Sequence, residues 1–186
     1  MTVKKLTLMA MLTAIALVVF VIEAQIPLPV PVPGAKLGLA NSVTLFALFY
    51  TFPPSQGQGV GSQYLHPDSK RRHALTVSNV LLILICRIIL GAMFTGRVVS
   101  FIYSLVGGLL SFSAMAAARK AVTEKQVWAC GALGAVFHNV GQIIAAIFIT
   151  GAPSIIAYLP ALIIIGILTG VVTGLAAQFT VTRLSK

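Results

Sequence analysis

His138, Asn139 and Gln142 fall within five residues of the apolar stretch GAVFHNVGQII (134–144). An imidazole and two amides there either position a polar ligand or tie neighbouring helices together. Arg87 is a second such residue, standing inside VLLILICRIILGAM (80–93). Burying a guanidinium in a bilayer costs about 2.5–3.5 kcal/mol on insertion scales, so it needs a carboxylate, carbonyls or an anionic ligand. Glu23 closes the first apolar run and is the one carboxylate available to Arg87 as an ion-pair partner within a span. No nucleophile stands beside His138 in sequence, the other histidines (66 and 73) are distant, and no phosphate-cradling P-loop is present. The sequence therefore predicts binding rather than catalysis, with no cofactor and no metal.

The elements that carry these residues follow from composition. Of 186 residues, 58% are hydrophobic and 9% charged, with a mean hydropathy of +1.01. Soluble domains carry about 25% charged residues. A chain this apolar is expected to be a single all-α integral membrane domain over residues 1–186. The net charge of +10 would point to nucleic acid in a soluble domain, but here the basic residues sit in short tracts between apolar runs and report topology instead. Cys86 and Cys130 lie in separate apolar segments without ligand spacing and are expected to be packing residues. The first run follows Lys4 and Lys5 like a signal peptide, yet Glu23 and a proline-rich stretch follow it in place of a cleavage site.

Six apolar segments are expected to span, at roughly 6–26, 37–53, 75–95, 98–118, 127–149 and 154–178. Lys4, Lys5, Lys70, Arg71, Arg72, Arg119, Lys120, Lys125, Arg183 and Lys186 fall on one side of this arrangement, and Lys36 and Arg97 on the other. Cytoplasmic loops carry the excess of Lys and Arg, so both termini are expected inside. The connector PLPVPVPGAK (27–36), stiffened by four prolines, is expected outside as an ordered strap. Residues 54–74 are rich in Gly, Gln and Ser and read as a flexible cytoplasmic segment.

On this topology the polar residues share a depth. Glu23, Gln25, Lys36, Asn41, Arg87, Ser100, Tyr103, Ser104, His138, Asn139, Gln142 and Tyr158 all fall in the outer half. Gly134, His138, Gly141, Gln142 and Ala145 follow helical spacing and form one small, polar stripe, with Asn139 about 100° around the helix. Lys36, Asn41, Arg87, Tyr103, His138, Asn139 and Gln142 are therefore the expected ligand-binding residues, and the excess of cations favours an anionic or polar-aromatic metabolite. Gly166, Gly170 and Gly174 line one face of the last span for close helix packing, and Ala10 with Ala14 makes a similar patch on the first.

Five blocks carry a resemblance: PGAKLGLANSVTLFAL (33–48), RIILGAMFTG (87–96), SFIYSLVGGLLSF (100–112), GAVFHNVGQ (134–142) and YLPALIIIGILTG (158–170). Together they resemble the Gx transporter family, also labelled heptaprenyl diphosphate synthase component I, which is similar to the substrate-binding S components of energy-coupling factor transporters. The resemblance implies a six-helix bundle with an outward pocket, the 27–36 strap as its lid, and Ala10 and Ala14 as the patch that docks a membrane coupling subunit with ATPases. It departs at 52–74, where the family has a short loop.

Two functions follow as expectations. The first is a substrate-binding subunit of a small-molecule uptake system in a bacterial inner membrane, partnered by its ligand, the lipid bilayer and a coupling subunit, and not by nucleic acid. The alternative is a membrane accessory subunit for isoprenoid or quinone synthesis. Chain-elongating prenyl synthases hold Mg²⁺ and diphosphate on aspartate-rich motifs, since hard cations need several oxygen ligands. This chain has a single aspartate, Asp68, so the expectation is an accessory rather than an enzyme.

Overall fold

The computed structural model describes residues 3–26, 36–51, 75–96 and 98–184. Residues 27–35 of the strap, the 52–74 loop and Arg97 lie outside the described residues. Everything described is helix, turn or short connector. The helices are α1 (Val3–Glu23), α2 (Asn41–Thr51), α3 (Val77–Thr95), α4 (Val98–Ala118), α5 (Val127–Thr150) and α6 (Leu159–Leu184). Short 3₁₀ turns at Glu124–Gln126 and Pro153–Tyr158 lead into α5 and α6.

Five of these segments are long and apolar enough to cross a membrane: Val3–Glu23, Val77–Thr95, Val98–Ala118, Val127–Thr150 and Pro153–Arg183. The remaining expected span, 37–53, is different. Its described helix, α2, covers 11 residues, Asn41–Thr51, and residues 52–53 of the expected span lie outside the described residues. Residues 36–38 are non-helical, and a turn at 39–40 feeds α2 through Asn41 N–H donating to the Gly38 carbonyl at 2.9 Å. Val43, Leu45, Ala47, Leu48 and Phe49 of α2 are all buried. A helix apolar on every side belongs in the interior, and α2 accordingly touches α1, α3, α4, α5 and α6.

The surrounding helices each bury one stripe. On α1 it is Met9, Leu12, Ala16, Phe20 and Glu23, and on α3 it is Val80, Ile83, Leu84, Arg87, Ile88 and Gly91. Both follow three- and four-residue spacing, so Glu23 and Arg87 are carried inward by the same periodicity that buries their apolar neighbours. The opposite faces expose Leu6, Met11, Val18, Met93, Phe94, Leu168, Val172 and Phe179, as suits a lipid-facing surface.

Small residues set the closest seams. A Cβ on Gly170 would lie 2.8 Å from the Ala132 Cα and the Gly131 oxygen, and one on Gly174 would lie 2.7 Å from the Trp128 Cα. The glycine face expected on the last span is thus consumed by α5, backbone against backbone. Gly141 meets Gly107 in the same way between α5 and α4, at 2.7 Å from its Cα. At the far end of α5, Gly151 takes φ +65° and returns its N–H to the Ile147 carbonyl at 2.9 Å, a left-handed cap that suits glycine. Cys86 and Cys130 are free thiols, and Cys130 Sγ donates to the Met115 carbonyl at 3.6 Å.

Candidate functional site

The connector 36–40 is held by side chains from two helices. Lys36 N–H donates to Gln142 Oε1 on α5 at 3.1 Å. Gly38 N–H donates to Glu23 Oε1 on α1, and Ala40 N–H reaches Glu23 Oε2 at 3.4 Å. A non-helical backbone at membrane depth must find partners inside the protein, and Glu23 and Gln142 supply them. Gly38 has φ +81°, and a Cβ there would sit 2.8 Å from His138 Cδ2. Glycine is required both by the conformation and by the space.

Gln142 also fixes the histidine. A backbone N–H can only donate, so the atom facing Lys36 is the amide oxygen, and the Gln142 NH₂ group points at His138 Nε2, 2.8 Å away. His138 Nε2 therefore accepts, and the ring proton sits on Nδ1. Nδ1 faces Gly107 of α4, where an added Cβ would lie 2.9 Å from it.

Arg87 and Asn41 form the cationic part. One Arg87 terminal nitrogen donates to Asn41 Oδ1 at 3.2 Å, and the two residues are 3% and 6% exposed. Arg87 feels the charge of Glu23, although the hydrogen bonds of the Glu23 carboxylate go to the connector backbone. Among the described residues, Arg87 Nε, Asn41 Nδ2 and Thr44 Oγ1 are buried without a hydrogen-bond partner. The Lys36 ammonium lies 3.2 Å from the centroid of the Phe20 ring, a cation–π contact.

Of the residues expected to bind ligand, Lys36, Asn41, Arg87, His138 and Gln142 are brought together, with Glu23 among them. Asn139 is turned elsewhere: its Nδ2 donates to the Leu162 carbonyl of α6 at 2.6 Å, against Gly166. Tyr103 is buried with Ile143, Ala146 and Leu162 in a second apolar cluster. Ser100 and Ser104 are buried on α4, whereas Gln25 and Tyr158 are exposed. Ala10 and Ala14 lie on the exposed face of α1.

Sequence reasoning passed over Phe20, Gly38, Thr44 and Gly107. Phe20 stands three residues before Glu23, hence on its face of α1, and that spacing was a usable signal. Nothing in the spacing singles out Thr44 or Gly107.

Buried polar groups converging at one end of an apolar bundle define a multi-pass membrane protein with an internal polar cluster. The chain belongs to the heptaprenyl diphosphate synthase component I family, whose model matches residues 12–56 and 72–180. The break in the match, 57–71, falls inside the long loop that departs from the family pattern. Searches of curated proteins and of solved structures find no match.

Proposed function

We propose that the chain is a non-catalytic membrane component of a prenyl diphosphate synthase system, binding an oxyanion-bearing molecule at the Arg87–Asn41–His138–Gln142 cluster. The family description supports the synthase link. The observation that carries the binding role is the buried Arg87 guanidinium, whose Nε has no partner among the described residues, beside an Asn41 Nδ2 in the same condition. Leaving such groups unpaired costs about 1–3 kcal/mol each, more when charged, and an anion would recover that cost. With one aspartate in the chain, the Mg²⁺-dependent chemistry falls to a partner subunit.

The experiment is to delete the chain from its host, then measure incorporation of labelled isopentenyl diphosphate into long-chain prenyl products by isolated membranes and cytosol. Lower incorporation, restored by the wild-type chain and not by Arg87→Met, is expected. Unchanged incorporation would sink the synthase link.

A second reading, a substrate-binding subunit of an uptake system, is favoured by the location of the cluster. It sits at the end of the bundle that the Lys and Arg asymmetry assigns to the outside, and Ala10 and Ala14 remain exposed for a coupling subunit. Accumulation of an external small molecule that depends on this chain and on ATP would favour it over the accessory role.

A further inference from the structure

Given the anion-binding reading above, on which this rests, we infer that Glu23 sets the charge of the bound molecule, so that the cluster selects a singly charged oxyanion, as a carboxylate is, over a phosphate or diphosphate ester. Among the described residues the buried charged side chains are Glu23, Lys36 and Arg87. They share one electrostatic environment: Arg87 feels the charge of Glu23, and His138 feels both Arg87 and Lys36. Two cations against one carboxylate leave the cluster a single positive charge in excess. The histidine adds none. Its Nε2 accepts from the Gln142 NH₂ group at 2.8 Å, and a second ring proton there would set donor against donor.

A buried charge without a counter-charge is costly, and the cost has the same form whichever sign is left over. One negative charge closes the balance. A phosphate monoester brings about −1.5 to −2 at neutral pH and a diphosphate more, which would leave a net negative charge inside the apolar bundle. The hydrogen-bonding groups agree with this count. Arg87 Nε and Asn41 Nδ2 lack a partner among the described residues, and they belong to the two side chains joined by the 3.2 Å bond from Arg87 to Asn41 Oδ1. Both can only donate, so an occupant must accept, and an ionised carboxylate has one oxygen for each. The cluster already holds a carboxylate in this manner, since the two oxygens of Glu23 accept from the Gly38 and Ala40 N–H groups. Those bonds fasten Glu23 to the connector and keep its charge in the count. Diphosphate chemistry is then left to the partner subunit that holds Mg²⁺.

The test measures binding to the purified full chain in nanodiscs of zwitterionic lipid by ligand-observed NMR, at one pH and ionic strength. Methanesulfonate and sulfate are tetrahedral probes of nearly one shape with one and two charges; acetate, inorganic diphosphate and neutral acetamide complete the set. Methanesulfonate is expected to bind at least tenfold more tightly than sulfate, and acetate at least tenfold more tightly than inorganic diphosphate, with acetamide weakest. The overall charge of +10 would by itself favour the doubly charged ions, so this order reports the site, and it needs no variant to fold. Glu23→Gln keeps a carbonyl acceptor for the connector and raises the excess to two charges, so it is expected to bring sulfate at least level with methanesulfonate. Sulfate or diphosphate bound as tightly as the singly charged probes by wild type, or an unchanged ratio in folded Glu23→Gln, would overturn the inference and leave the anion site standing. If no probe binds more weakly to Arg87→Met than to wild type, the anion-binding reading itself fails.

Discussion

Gln142 Nε2 lies 2.8 Å from His138 Nε2 while Gln142 Oε1 accepts from the Lys36 backbone at 3.1 Å. One amide thus sets the tautomer of the histidine and fastens the connector before α2. Replacing it breaks both at once. Gln142→Leu leaves a backbone donor and a ring acceptor buried, at a cost on the order of 1–3 kcal/mol for each, whereas Gln142→Glu keeps the acceptor for Lys36. We expect Gln142→Leu to lower unfolding stability in detergent clearly more than Gln142→Glu. Nitrogen NMR of labelled histidine in the wild type should show the proton of His138 on Nδ1; a proton on Nε2 would show that the amide faces the other way.

Arg87 offers a separable test of binding. Arg87→Met should weaken the bound oxyanion by roughly 2 kcal/mol or more, since truncating one member of a buried charged contact typically costs 2–5. The loss of a cation beside Glu23 is a separate effect on the fold. The double variant Arg87→Met with Glu23→Gln restores charge balance in the cluster, so it should regain stability relative to Arg87→Met without regaining affinity. Calorimetric binding and thermal unfolding of the three proteins check this, and recovery of affinity in the double variant would contradict a direct contact.

Asn139 and His138 should behave differently although they are adjacent in sequence. Asn139→Ala removes a 2.6 Å bond to the Leu162 carbonyl, and hydrogen bonds between membrane helices average about 0.6 kcal/mol with a maximum near 1.7. Its expected phenotype is modest destabilisation with ligand affinity kept. His138→Ala should lower affinity by about 1–2 kcal/mol for a lost neutral hydrogen bond. Titrations of both variants with the same ligand decide between them.

The glycine seam and the alanine patch make opposite predictions for equally small residues. Gly170→Ala places a Cβ 2.8 Å from the Gly131 oxygen, and overpacking of this kind costs about 1–3 kcal/mol, read as a lower midpoint of thermal unfolding. Ala10→Leu and Ala14→Leu alter an exposed face, where substitutions usually stay within about 0.5 kcal/mol. If that face docks a partner, these two variants should keep their stability and lose partner co-purification.

Much of the architecture was legible in the chain. Apolar runs near bilayer length place α3, α4 and α5 at Val77–Thr95, Val98–Ala118 and Val127–Thr150, within two residues of the spans expected at 75–95, 98–118 and 127–149. Helical spacing alone carries Glu23, Arg87, His138 and Gln142 to the buried side, because a residue's face follows from its register with apolar neighbours. The membrane class, the convergence of polar groups and the helix-packing glycines all follow from such local rules.

What register cannot specify is which neighbour a buried face meets. His138 and Asn139 differ by about 100° around α5, enough to send one towards the connector and α4 and the other into the α6 seam. The start of α2 at Asn41 follows a connector in which Gly38 takes φ +81° and donates its N–H to Glu23 fifteen residues away. The placement of the Lys36 ammonium on Phe20 likewise depends on α1 and the connector meeting in space. Sequence determined which residues are inside, since burial is a property of periodic hydrophobicity along one helix. Tertiary structure decided their partners, since a hydrogen bond needs distances of about 3 Å that arise only when separate helices are packed.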